Sequence, residues 1–146
     1  MKKEQIIVLV IALTLGLVSC KKVNVPEKVK ASFEQKFKNA GEVEWEQEEN
    51  NKWEAEFEMD EKEMSATFDG NGSWLETETE IESSEVPQAV VDAATKKFPG
   101  YKIKEWELIE KPEQTIYEAE MKGENGEKIK VQFDKNGTGL KREKIK

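Results

Sequence analysis

An α+β fold is predicted for this chain, built as two tandem helix-plus-antiparallel-sheet repeats of about four strands each, with the helices packed on one face of the sheet. Three observations predict it. The sequence repeats itself at an offset of 61 residues. Each copy opens on an apolar stripe at helical spacing. Each then continues in apolar–polar alternation with a period of two.

The repeat is ordered along the chain. "VPEKVKASFEQKF" at 25–37 aligns with "VPQAVVDAATKKF" at 86–98, and "EW" at 44–45 with "EW" at 105–106. After a three-residue insertion containing Pro112, "WEAEF" at 53–57 meets "YEAEM" at 117–121. "FDGNGSWL" at 68–75 then meets "FDKNGTGL" at 133–140. The repeats are assigned to residues 25–82 and 83–146.

Each element has a local cause. Pro26 and Pro87 suit a helix start, where no amide donor is missed. Val29, Phe33 and Phe37 recur every four residues, as do Val90, Ala94 and Phe98, so each helix has one apolar stripe. Gly41 follows the first helix, and Pro99-Gly100 stops the second. In the strands, Trp53, Ala55, Phe57 and Met59 alternate with glutamates, and Met64, Ala66 and Phe68 with Ser65 and Thr67. Tyr117, Ala119 and Met121 alternate with Glu118 and Glu120; Ile129, Val131 and Phe133 alternate with Lys128, Lys130 and Gln132. Such patterns are half-buried antiparallel strands.

The stretch after Phe68 tests for a metal. Asp69, Asn71, Ser73 and Glu80 have the spacing of ligands in a helix-flanked calcium loop. That reading fails on three counts. Trp74 stands where the loop needs glycine, the second copy has Ile145 where the bidentate carboxylate belongs, and strands flank both copies. Asp, Asn and Gly are instead turn formers that tolerate positive φ. No metal site and no cofactor is expected.

The first residues read as an address. Lys2 and Lys3 precede an apolar run of thirteen residues, Ile6 to Val18, too short to span a bilayer as a helix. This is the pattern of a signal peptide over residues 1–19. "LVSC" resembles a lipobox, which implies cleavage before Cys20 and lipidation of its sulfur. Cys20 is the sole cysteine, so no intrachain disulfide is available. Residues 20–24 would form a short tether, holding the domain within roughly 20 Å of the membrane.

Composition excludes several functions. The chain has no histidine and no "GxxxxGK" loop, which removes Ser–His and Cys–His catalysis and the phosphate cradle. We therefore expect no enzyme. With 31 acidic against 23 basic residues, it is a poor partner for nucleic acid. The charge is uneven. Residues 20–82 carry 18 acidic and 8 basic side chains, and residues 83–146 carry 12 and 13. An acidic face in the first copy would attract a cationic partner; the bland account is a solvated surface that keeps sheet edges apart.

The four tryptophans sharpen this. Trp45 matches Trp106 and Trp53 matches Tyr117, so these are packing positions. Trp74 matches Gly139, so the scaffold does not require it. If Leu75 and its equivalent Leu140 face inward with Thr77, Thr79 and Ile81, Trp74 lies on the opposite face with Glu76, Glu78 and Glu80. Those four residues are then a candidate site for a partner's Lys or Arg, by cation–π contact and ion pairing. A bulge in the hairpin would reverse the parity and turn Trp74 inward.

Tandem "VP…V…F…KF" helices, "EW" strands and "F-D-x-N-G" hairpins behind a lipoprotein leader resemble the PepSY-like family, also described as β-lactamase-inhibitor-like. The resemblance covers roughly residues 25–146 and implies an envelope location and sheets that can join. It implies no established activity. The expected function is a non-enzymatic, membrane-anchored binding module for a basic protein or peptide, through the acidic sheet face of repeat 1. The alternatives are a protease or hydrolase inhibitor, by fold-level analogy, and weak divalent-cation binding by the glutamate rows.

Overall fold

The computed structural model describes residues 23–145. The leader expected over residues 1–19 and the lipidation site expected at Cys20 lie outside the described residues. Repeat 1 holds α1 (Glu27–Lys36), β1 (Val43–Glu48), β2 (Lys52–Met59), β3 (Lys62–Asp69) and β4 (Trp74–Ile81). Repeat 2 holds α2 (Gln88–Lys97), β5 (Tyr101–Lys111), β6 (Gln114–Gly123), β7 (Lys128–Phe133) and β8 (Gly139–Ile145). All eight strands form one sheet in chain order, and every pairing is antiparallel. The repeats join where β4 pairs with β5, with Ile81 opposite Trp106.

Both helices start alike. Pro26 and Pro87 are the capping residues, with extended ψ, and their carbonyls accept the first helical amides, from Val29 and Val90. Both helices turn the expected stripe to the sheet, with Phe98 half-buried and the other five residues buried. Val29, Phe33 and Phe37 pack with Trp53, Ala55, Phe57, Ala66 and Phe68. Phe33 is the centre of this core, with edge-on contacts to Phe57 at 4.9 Å and Trp45 at 5.3 Å. Val90 and Ala94 pack with Trp106, Ala119, Met121, Ile129, Val131 and Phe133. Ile81 belongs to this second core, although it ends the first repeat.

Register places both cores on one side of the sheet, because directly opposed side chains share a face. One row runs Trp45, Ala55, Ala66, Thr77, and another runs Ile81, Trp106, Ala119, Val131. Thr77 and Ile81 are four apart on one strand, so both rows face the helices.

The hairpin turns tie each helix down. Asp69 Oδ1 accepts the Asn71 and Ser73 amides, both at 2.9 Å. Asp134 Oδ1 accepts those of Asn136 and Thr138 at 2.8 and 2.9 Å. These carboxylates are spent on the turn, which is what the repeated F-D-x-N-G encodes. The glycines follow at φ +88° for Gly72 and +80° for Gly137. A Cβ on Gly72 would lie 2.6 Å from the Lys28 carbonyl oxygen, and one on Gly137 would lie 2.4 Å from that of Ala89. Each turn thus rests on the first turn of its own helix.

Just beyond the turn, parity changes. Thr67 pairs with Glu76 but Phe68 pairs with Trp74, leaving Leu75 as an extra residue. Gln132 pairs with Lys141 and Phe133 with Gly139, leaving Leu140. These are β-bulges. The inward orientation expected for Leu75 and Leu140 is therefore wrong: Leu140 is 44% exposed. The bulge also turns Trp74 to the helix side, away from Glu76, Glu78 and Glu80. There its Nε1 donates to Thr77 Oγ1 at 2.9 Å, and the Lys36 ammonium lies 3.7 Å from its ring centroid. Trp74 already holds a cation, supplied by its own helix.

Two stability outcomes follow. Gly137→Ala is expected to cost about 2–4 kcal/mol, from a left-handed backbone plus a backbone clash. Gly126→Ala, at φ +84° in open space, should cost about 1 kcal/mol. Equal losses in thermal denaturation would contradict the docking of the turn on the helix. Trp74→Ala is expected to lower stability by about 2–3 kcal/mol, through lost packing and the lost cation–π contact. A surface-like loss below about 0.5 kcal/mol would remove Trp74 from the core.

Candidate interaction surface

The face away from the helices carries the charge. Its rows follow from the register. Glu44, Glu56, Ser65, Glu78, Ile109 and Ile116 lie side by side across six strands. The next row runs Glu46, Glu54, Thr67, Glu76. On the other side, Glu58 faces Glu63, and a row runs Glu80, Glu107, Glu118, Gln132, Lys141. Period-two alternation puts these glutamates here because the intervening apolar residues are claimed by the cores.

The two halves of this face differ in how the carboxylates are satisfied. In repeat 2, Lys130 Nζ reaches Glu118 at 2.8 Å and Glu107 at 3.0 Å, and Lys128 reaches Glu120 at 2.7 Å. Gln132 donates to Glu118 at 2.7 Å. In repeat 1, Glu76 pairs with Lys111 at 2.9 Å. Among the described residues, no other open-face glutamate of β1–β4 has a lysine or arginine within ion-pair distance.

Burial raises proton affinity in both halves, in repeat 2 at Glu105, with Glu107 and Glu80 adding to it, as well as in repeat 1. Burial pushes Glu54 above its ordinary value, and the charges of Glu56, Glu48 and Glu46 add to the effect against a hydrogen bond with Ser65. Burial, with Glu107 and Glu76 beside it, pushes Glu78 up to about 7. Burial also holds Glu107 high, despite Lys130. For Glu118, burial is outweighed by hydrogen bonds from Lys130 and Gln132, and its carboxyl sits below the ordinary range. Despite its own burial, Lys130 is held well above the usual lysine value by Glu118 and Glu107.

Of the sequence-derived candidates, Glu76, Glu78 and Glu80 share the open face and Trp74 does not. Glu76 is neutralised by Lys111, Glu78 is the most desolvated of the three, and Glu80 is exposed opposite Glu107. Alternation alone did not reveal the apolar centre of this face. Ile109 and Ile116 oppose each other there and are only 4% and 5% exposed. Their signal was the doublets Leu108-Ile109 and Ile116-Tyr117, where strict alternation breaks and a strand becomes apolar on both sides. The bridging role of Lys130 had no sequence signal, because it depends on three strands at once. Among the described residues, no group of three or more His, Cys, Asp or Glu is arranged to hold a metal ion.

The same architecture occurs in solved structures. A DUF2874 family protein from Bacteroides uniformis superposes with a TM-score of 0.76 at 23% identity, covering 82% of this chain and 89% of that one. A protein from Bacteroides eggerthii described as "putative periplasmic proteins" gives 0.77 at 22% identity, covering 83% and 89%. A BLIP-like protein from Bacteroides fragilis gives 0.71 at 25% identity, covering 82% and 86%. No curated protein matches the chain. Residues 18–67 and 52–141 match a single family, and the chain belongs to it: the family described as "Putative beta-lactamase-inhibitor-like, PepSY-like".

Proposed function

We propose that this protein is a non-enzymatic interaction module of the cell envelope, anchored through Cys20, whose repeat-1 sheet face receives a basic protein or peptide. One observation carries the reading: in repeat 2, lysines of the same chain lie within ion-pair distance of Glu107, Glu118 and Glu120, though not of Glu105, whereas among the described open-face glutamates of repeat 1 Glu76 alone has such a partner. Like charges opposed across neighbouring strands cost stability. A partner's Lys and Arg side chains would relieve that cost and gain charge-assisted hydrogen bonds. The signal-peptide pattern, the lipobox and the periplasmic description of the Bacteroides eggerthii protein support the envelope location. A hydrolase inhibitor would be a special case of the same surface, distinguished by whether a captured enzyme loses activity.

The test is capture from an envelope extract with the purified protein. A basic partner should be retained at low salt and released as ionic strength rises past a few tenths molar, where screening shortens to a few ångströms. The charge reversals Glu46→Lys and Glu56→Lys together should abolish retention without lowering the melting temperature, since each lysine would face a glutamate across the strand pair. Retention of the same partner by that variant would refute the acidic face as the binding surface.

Glu78 adds a pH dependence. Its folded value of about 7 lies above the ordinary 4.5, so the folded state binds the extra proton between those values. The contribution of Glu78 to stability is greatest below about 4.5 and falls as pH rises through about 7. Glu78→Gln should match the parent at the acid end and exceed it by about 1–2 kcal/mol at pH 8, allowing for solvent screening. Denaturant midpoints across that range would show the gap opening; a constant gap would exclude a raised Glu78.

A further inference from the structure

The two repeats differ at one edge. In repeat 2, β5 is flanked by β4, and Ile81 lies opposite Trp106, which is 3% exposed. Trp45 occupies the position of Trp106 in repeat 1, but β1 is the first strand of the sheet, and among the described residues no strand lies outside it. Trp45 is accordingly half-buried. Beside it is a groove of about 270 Å³ lined by Phe33, Phe37, Ala40, Val43 and Trp45. The internal junction of β4 and β5 thus shows what the edge of β1 lacks: a strand that sets an apolar side chain beside the tryptophan.

The structure assigns an occupant chemistry to that edge. We propose that β1 accepts one extended segment of a basic partner, added as a strand, with apolar residues on the groove side alternating with Lys or Arg on the open face. The inference rests on the reading of repeat 1 as the acceptor of a basic partner. Period two dictates the alternation. On the groove side the segment meets Val43 and Trp45; on the other it meets Glu44, Glu46 and Glu48. Lys30, Glu34 and Lys38 also line the groove, so its charged lining is net positive and disfavours a cation within it. A second copy is a poorer occupant. Pairing β1 with another β1 would oppose glutamate to glutamate. Repeating the β4–β5 junction with β8 of another copy would bring Arg142 and Lys144, which share a face with Val131 and Ile129, to the apolar side.

The experiment uses the full-length chain and three labelled peptides: one alternating lysine and valine, one of the same composition with lysines and valines in separate blocks, and one alternating glutamate and valine. Fluorescence anisotropy gives affinity, and hydrogen exchange gives location. Among the described residues the outward amides of β1 have no ladder partner, so an added strand must slow their exchange, whereas a partner lying flat on the face need not. The alternating lysine peptide should bind best and slow exchange within Val43–Glu48. Ala40→Leu, which fills the groove, should weaken it at least about tenfold. Glu44→Lys with Glu46→Lys should do the same and favour the glutamate peptide. Glu76→Lys, on β4, should leave affinity nearly unchanged. Melting temperatures report that each variant folds.

Equal binding of alternating and block peptides, or sensitivity to Glu76→Lys but not to Ala40→Leu, would overturn strand addition while leaving the acidic face as the binding surface. No binding of either lysine peptide would overturn both. Protection of β1 without peptide, rising with protein concentration alongside molecular mass, would assign the edge to a second copy and overturn the proposal.

Discussion

Each repeat depends on a glycine pressed against a helix. The hairpin turn is closed by an aspartate, and its glycine adopts a positive φ so that the turn lies flat on the helix backbone. That contact sets the height of the helix above the sheet. Ala55, Ala66 and Ala119, fully buried, face the same side, where a larger residue would lift the helix. With the height set, Val29 and Phe33 in one copy and Val90 and Ala94 in the other reach their cores. It also explains why F-D-x-N-G recurs while the residue after the turn does not: the motif serves the docking, and Trp74 or Gly139 serves local needs.

Confining the cores to one side frees the other side to carry charge. The two copies use that freedom differently. In repeat 2, Lys130 lies between Glu107 and Glu118, and the strands are bound to each other by their own charges as well as by the ladder. Both copies oppose glutamate to glutamate, Glu107 to Glu118 in repeat 2 as Glu44 to Glu56 and Glu58 to Glu63 in repeat 1, but among the described residues no lysine bridges the pairs of repeat 1. The fold tolerates this because strand pairing and the aromatic core around Phe33 outweigh repulsion that solvent partly screens. Sheet stability alone would favour the arrangement of repeat 2 in both copies. The unrelieved half therefore marks where an outside cation gains most.

Much of this was legible in the sequence, and the remainder was not for identifiable reasons. Helices and strands followed from period, because the apolar stripe and the alternation are local patterns. The repeat identified the turn, since the first copy has Trp74 where a calcium loop needs glycine and the second has Ile145 where it needs a bidentate carboxylate. The sequence alone leaves two readings for the face of Trp74, because a bulge is a property of two strands: Leu75 looks inward when β4 is read alone and becomes the extra residue only beside β3. Ile81 was assigned to repeat 1 by position but packs in the core of repeat 2, which no repeat alignment reveals. The charge excess of the first copy was plain; that Lys111 neutralises Glu76 and leaves Glu78 desolvated required the register.

Ile81 leads to the ends of the sheet. Joining two copies through β4 and β5 gives Trp106 a lid and leaves Trp45 without one. The two outer strands have opposite character: β1 carries Glu44, Glu46 and Glu48, and β8 carries Lys141, Arg142 and Lys144. Opposite charges on the two ends of one sheet invite head-to-tail growth, which has no natural stop. Contact geometry opposes it. A strand joining β1 as β4 joins β5 must place its apolar side toward the helices, and β8 places Arg142 there, near the Phe98 ring at 5.5 Å. Charge brings such ends together only at long range; at contact the alternation is wrong. The device that keeps the sheet from extending itself is thus the one that would, on the strand-addition proposal, select a different strand for β1.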